Sequence, residues 1–132
     1  MKKFIWVFLI PFFLSCEDNV IENLKYYYGL EQQFSQDVNY ISQDSMNNIN
    51  IEVISDSRCP TGAQCIWQGE AEVEISIGSS NSNHIILSTF DNQKDTIGNI
   101  SIELIDVSPY PELDKNVSLS SKKVTLVIDK IN

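Results

Sequence analysis

The chain has 132 residues, a length that suits one domain with its own core. Eighteen acidic residues stand against nine Lys and Arg, a formal charge of −9. That balance argues against nucleic acid and against anionic lipid surfaces as partners, and it permits a cationic partner or a bound cation without requiring one.

Met1-Lys2-Lys3 is a short positive segment, and Phe4 to Leu14 is apolar but too short to span a bilayer as a helix. Together they read as a secretory signal over residues 1–15. Its end, Phe13-Leu14-Ser15-Cys16, resembles a bacterial lipobox, with phenylalanine where leucine is usual. The resemblance implies cleavage before Cys16 and diacylglyceryl modification of its sulfur, and several acyl chains anchor stably where a single chain does not. Loss of Lys2 and Lys3 leaves seven basic against eighteen acidic residues, net −11. Residues 16–23 form an acidic tether too short to carry a domain far from the membrane. Glu17-Asp18 directly after the cysteine resembles the surface-export signal of Bacteroidota lipoproteins, which implies an outer-membrane lipoprotein, surface-exposed or otherwise periplasm-facing.

Residues 24–132 read as a β domain. In Tyr26-Tyr27-Tyr28, strand alternation sends neighbouring side chains to opposite faces, so not all three can be core. The segment is expected as an edge strand, with Tyr26 and Tyr28 as candidate contacts for a glycan or protein. Gly29 permits a turn. Leu30 to Phe34 and Val38 to Ile41 are short strands, and Ile49, Ile51 and Val53 alternate with Asn50, Glu52 and Ile54 as a further one.

The segment Asp56-Ser57-Arg58-Cys59-Pro60-Thr61-Gly62-Ala63-Gln64-Cys65-Ile66-Trp67-Gln68-Gly69 follows. It holds the only arginine and two of the three cysteines. Pro60 and Gly62 let the chain turn tightly between Cys59 and Cys65. A structural disulfide is expected, worth roughly 2–2.5 kcal/mol for so small a loop. With Cys16 lipidated, Cys59 and Cys65 are the single possible pair, and export places them in an oxidising compartment. Two thiols and the lone His84 fall short of a four-ligand zinc site, and the spacing is not that of a Cys-x-x-Cys redox pair. Trp67 is expected as a core anchor beside the disulfide, with a surface binding aromatic as the alternative. Arg58 is expected to pair with Asp56 or a strand carboxylate, the alternative being a contact presented on a rigid loop. Beyond Gly69, Ala71, Val73, Ile75 and Ile77 alternate with Glu72, Glu74 and Ser76, a half-buried strand.

The pattern Asp-Ser-Arg-Cys-Pro-x-Gly-x-x-Cys-x-Trp-x-Gly-x-Ala-x-Val resembles the central motif of a family of small lipoproteins of Bacteroidota-type bacteria. Pro109-Tyr110-Pro111 followed by a closing strand resembles the same family's C-terminal end. The similarity covers about residues 30–130. It implies a compact β domain on a lipid anchor, and no particular activity. Tyr110, set between two prolines, is a further candidate contact.

Gly78 to Asn83 reads as a loop that joins the Ala71 to Ile77 strand to a strand over His84 to Phe90, and Asp91 to Asp95 as a polar turn. Ile100, Ile102 and Leu104 alternate, and the phase shifts at Ile105 and Val107, as at a β-bulge or in a strand buried on both faces. Pro109 and Pro111 end that strand. Glu112 to Ser121 is a polar loop, and Val124, Leu126 and Ile128 form the last strand. No stretch carries the apolar period of a long helix. The expected fold is all-β, a single antiparallel sandwich or small barrel of about seven to eight short strands.

No catalytic signature occurs, neither a nucleophile elbow nor a zinc-protease helix nor a phosphate loop. The expected protein is not an enzyme and needs no cofactor or metal. It is a lipid-anchored binding or interaction module with a protein or glycan partner, attached to the membrane through Cys16. The alternative is an inhibitor or protective protein that presents the Arg58–Cys65 loop to a hydrolase or toxin.

Overall fold

A computed structural model describes residues 24–78 and 83–132. The expected signal segment 1–15, the lipidation site Cys16 and the tether 16–23 lie outside the described residues. The elements in chain order are β1 (Leu24–Tyr26), β2 (Glu31–Ser35), β3 (Asn39–Ser42), β4 (Asn48–Asp56), β5 (Ala71–Ile77), β6 (Asn83–Ser88), β7 (Lys94–Ile97), β8 (Ile100–Ser108), a single 3₁₀ turn (Leu119–Ser121) and β9 (Lys123–Lys130).

The strands form two sheets, one ordered β1-β3-β4-β5-β6 and the other β2-β9-β8-β7. They are not closed into a barrel, and the architecture is a β-sandwich. Among the described residues every strand pairing is antiparallel except β1 with β3, where Leu24 lies opposite Tyr40 and Tyr26 opposite Ser42. The cause is the path of the chain. β1 and β3 share a sheet while β2 between them crosses to the other, so the two outer members run the same way.

The alternation in β5 works as its sequence suggests. Ala71, Val73, Ile75 and Ile77 are all buried and face Ile102, Leu104, Val107, Val124, Leu126 and Ile128 in one apolar core. Each fully buried Val, Leu or Ile side chain contributes roughly 1.5–3 kcal/mol. At one end Phe34 stacks edge-on against Tyr40 and Tyr26, with ring centroids 4.7 and 6.2 Å apart. Tyr26 is therefore core, only 1% exposed, and is not a binding contact. β1 is the sheet edge, but its inward face needs a large apolar body, and Tyr26 supplies it.

Two β-bulges reset the alternation. The register of β4 on β5 shifts between Ile51 and Val53, which turns Val53 out and brings Ile54 into the core. The simple Ile49, Ile51, Val53 alternation fails at its last member for this reason. The register of β8 on β9 shifts between Leu104 and Asp106, at the phase change visible in the sequence; Ile105 faces out and Val107 in. β7 begins in the segment expected as a turn, Asp91 to Asp95, and runs two residues beyond it. It is a polar edge strand with no apolar alternation to reveal it, and only Ile97 packs against the core.

The bulge in β4 yields a paired prediction. Ile54→Ala should cost about 2–5 kcal/mol in chemical denaturation, and Val53→Ala about 1 kcal/mol or less. The reverse order would show that β4 keeps simple alternation to its end.

Candidate functional site

β4 and β5 continue to pair beyond their regular ends. Ser57 donates its N–H to Glu70 O at 2.8 Å, and Cys59 donates to Gln68 O at 2.7 Å. Gly69 makes this possible: its φ is +67°, and a Cβ there would lie 1.9 Å from Ser57 O. The loop tip is closed by the Cys59–Cys65 disulfide, with Cα atoms 5.9 Å apart. Its flank docks on the segment after β8. Thr61 N–H donates to Pro111 O at 2.9 Å, and Leu113 N–H to Thr61 O at 3.2 Å.

Beneath the loop lies a buried ionic group. The Asp56 side chain is 2% exposed, Arg58 8% and Lys122 3%. Arg58 donates to Asp56 through Nε at 2.8 Å and Nη2 at 2.7 Å, and Lys122 Nζ lies 2.9 Å from the same carboxylate. Both cations also reach main-chain oxygens, Arg58 Nη2 to Val107 O at 2.7 Å and Lys122 Nζ to Pro109 O at 2.6 Å. Burial pushes the Asp56 carboxyl up, but the hydrogen bonds from Arg58 and Lys122 outweigh it and hold the group at about 2. The carboxylate in turn raises Arg58 against the opposing effect of burial.

Arg58 thus pairs with Asp56, the bland expectation, and is not a presented contact. Its guanidinium lies under the Tyr110 ring, 4.6 Å from the centroid, and Tyr110 Oη donates to Cys59 O at 3.0 Å. Above this floor opens a cleft of about 300 Å³. Phe90, Ile105 and Tyr110 give it apolar walls; Gln68, Thr89 and Asp106 give it polar groups; Gly69 completes the lining beside Arg58.

Trp67 is not a core anchor. It is 55% exposed and packs edge-on against Phe90, with centroids 5.6 Å apart. The buried side chains beneath the loop are those of Asp56, Arg58 and Lys122, and the indole lies outside them on Phe90. Ile66 beside it is fully exposed. Tyr28 sits at the opposite end of β4, where Asn47 Nδ2 donates to its hydroxyl at 3.1 Å and Lys130 Nζ lies 5.9 Å from its ring. The structure therefore brings Arg58, Trp67 and Tyr110 together and leaves Tyr26 and Tyr28 apart from them. It adds Phe90, Asp106, Gln68 and Lys122. Asp106 lies at the phase shift in β8, which was the one signal available for it.

Asp56→Ala leaves two buried cations without their carboxylate and should cost about 3–5 kcal/mol in denaturant unfolding. The folded carboxyl, at about 2, lies below its ordinary 3.8, so its contribution is complete above that ordinary value and is lost as pH falls towards 2. Asp44, held at about 2 by hydrogen bonds from Ser42 and Lys130, adds to the same acid loss. The Asp56→Asn protein should therefore show a shallower, not an absent, fall in stability between pH 4 and 2; an unchanged slope would remove Asp56 from the account. The Cys59→Ser/Cys65→Ser protein should melt only several degrees lower, because the crosslink contributes about 2 kcal/mol and the ladder beneath it does not depend on it. Unfolding at room temperature would show the disulfide to be essential to the core. Comparison of the chain with family models, with curated proteins and with solved structures finds no match.

Proposed function

We propose that the protein is a lipid-anchored module of the cell envelope, held by diacylglyceryl on Cys16, that binds its ligand in the cleft above Arg58. The observation that carries this reading is a concave site whose walls are already fixed. Tyr110 is pinned by Arg58 and by Cys59 O, and the loop behind it by the disulfide and the Gly69 ladder. Groups fixed before binding lose little freedom on it. The resemblance to Bacteroidota-type lipoproteins and the acidic tether support an outer-membrane position, on the cell surface in preference to the periplasmic side.

A second reading, an inhibitor that presents the crosslinked loop, draws on fully exposed Ile66 at the loop tip and exposed Leu113. Arg58 is internal, so Ile66 and Trp67 would be its contacts.

The purified lipidated protein, immobilised in detergent and exposed to solubilised envelope, separates the two. Phe90→Ala should abolish retention of the ligand and Ile66→Asp should not; the opposite pattern favours the inhibitor, and no effect of either overturns both. For the anchor, Cys16→Ser should move the protein to the soluble fraction and abolish labelling by a fatty-acid analogue. An unlabelled wild type would dismiss the lipid.

A further inference from the structure

We propose that the cleft takes an uncharged saccharide ring, stacked on its aromatic wall and hydrogen-bonded by Gln68, Thr89 and Asp106. The proposal rests on the cleft being the binding site and names the ligand class.

Charge comes first. The one cation in the lining, Arg58, is 8% exposed, and its donors are taken up by Val107 O and by Asp56 at 2.7 Å, a carboxylate it shares with Lys122. The remaining charge on the lining is Asp106, which is 58% exposed and only loosely approached by Arg58 Nη1, at 3.8 Å. An anionic ligand meets a carboxylate and no available cation, on a chain of net charge −9. A cationic ligand would sit above the Arg58 guanidinium. A neutral ligand meets neither penalty.

The polar groups decide between a sugar and an apolar peptide segment. Among the described residues the Gln68 amide makes no side-chain hydrogen bond, and Thr89 Oγ1 accepts from Ala71 N at 3.0 Å while its own O–H remains free to donate. Asp106 keeps its acceptor capacity. Apolar side chains filling the cleft would strip water from all three groups and leave them unpaired, which is costly. A polyhydroxylated ring satisfies them. Its axial and equatorial C–H groups form apolar faces that fit flat against Phe90, Tyr110 and Ile105, and a pocket of few polar groups among aromatic walls is the general pattern of small-ligand sites. The volume, about 300 Å³, suits a ring and not an extended protein interface.

The test is affinity gel electrophoresis of the purified full-length protein in gels containing starch, laminarin, mannan or xylan as neutral polymers, and polygalacturonate or heparin as anionic ones. At least one neutral polymer should retard the protein, neither anionic polymer should, and Phe90→Ala and Asp106→Ala should each weaken the retardation at least tenfold. Ile66→Asp should leave it unchanged. Phe90 and Asp106 are exposed, so both variants should keep the wild-type circular dichroism and melting temperature; if either does not, Gln68→Ala takes its place. Retardation by an anionic polymer alone, by no polymer, or by a neutral one indifferent to these substitutions overturns the saccharide. If Phe90→Ala abolishes envelope binding while no polymer retards the protein, the cleft remains the site and its occupant is a protein.

Discussion

One carboxylate organises this end of the molecule. Asp56 closes β4 in the five-stranded sheet, yet its partners lead to the other sheet. Lys122 stands just before β9, and Arg58 reaches the carbonyl of Val107 in β8. Buried ion pairs are poor contributors to net stability, since desolvation cancels most of the attraction, but removing one member is costly. The group therefore acts less as glue than as a jig. It fixes where the two sheets stand relative to each other at one end, and it places the guanidinium on which Tyr110 rests. An apolar trio of the same volume would fill the gap but would give Tyr110 no cation to face and no defined height above the sheets.

The two bulges serve the same end. One lies in β4 shortly before Asp56, the other in β8 immediately before Asp106. A bulge bends its strand and re-aims the side chains beyond it. Without the first, Asp56 would fall on the opposite face of its sheet; without the second, Asp106 and Val107 would exchange places. The core thus gives up regular alternation in two strands, and the gain is a polar floor inside an apolar sandwich.

Much of this was legible in the amino-acid order, and what was not has identifiable causes. β5 announces itself because one face is core and the other solvent, and period two records that directly. The disulfide and the Arg58–Asp56 pair are local, two to six residues apart, so spacing is informative. β7 is invisible because an exposed edge strand imposes no apolar pattern. Lys122 reads as one more surface lysine in a polar stretch; only its position opposite Asp56, sixty-six residues earlier, makes it internal, and single-sequence reasoning does not see such distance. The exposure of Trp67 is hidden because a large aromatic beside a disulfide suggests a core. What is buried beneath the loop is charge, Asp56, Arg58 and Lys122, a tertiary fact. The burial of Tyr26 is hidden in the other direction, since three consecutive tyrosines conceal which one the sheet turns inward.

The position of Trp67 has an optical consequence. It is the sole tryptophan among the described residues, half in water, edge-on to Phe90 at the rim of the cleft. Its indole emission therefore reports on the crosslinked end of the sandwich and hardly at all on the hydrocarbon interior. Disulfide sulfurs quench excited indole, and Cys65 is two residues away. Opening the crosslink should brighten the protein with its sheets intact, so light and heat capacity would record two separate events in the same molecule.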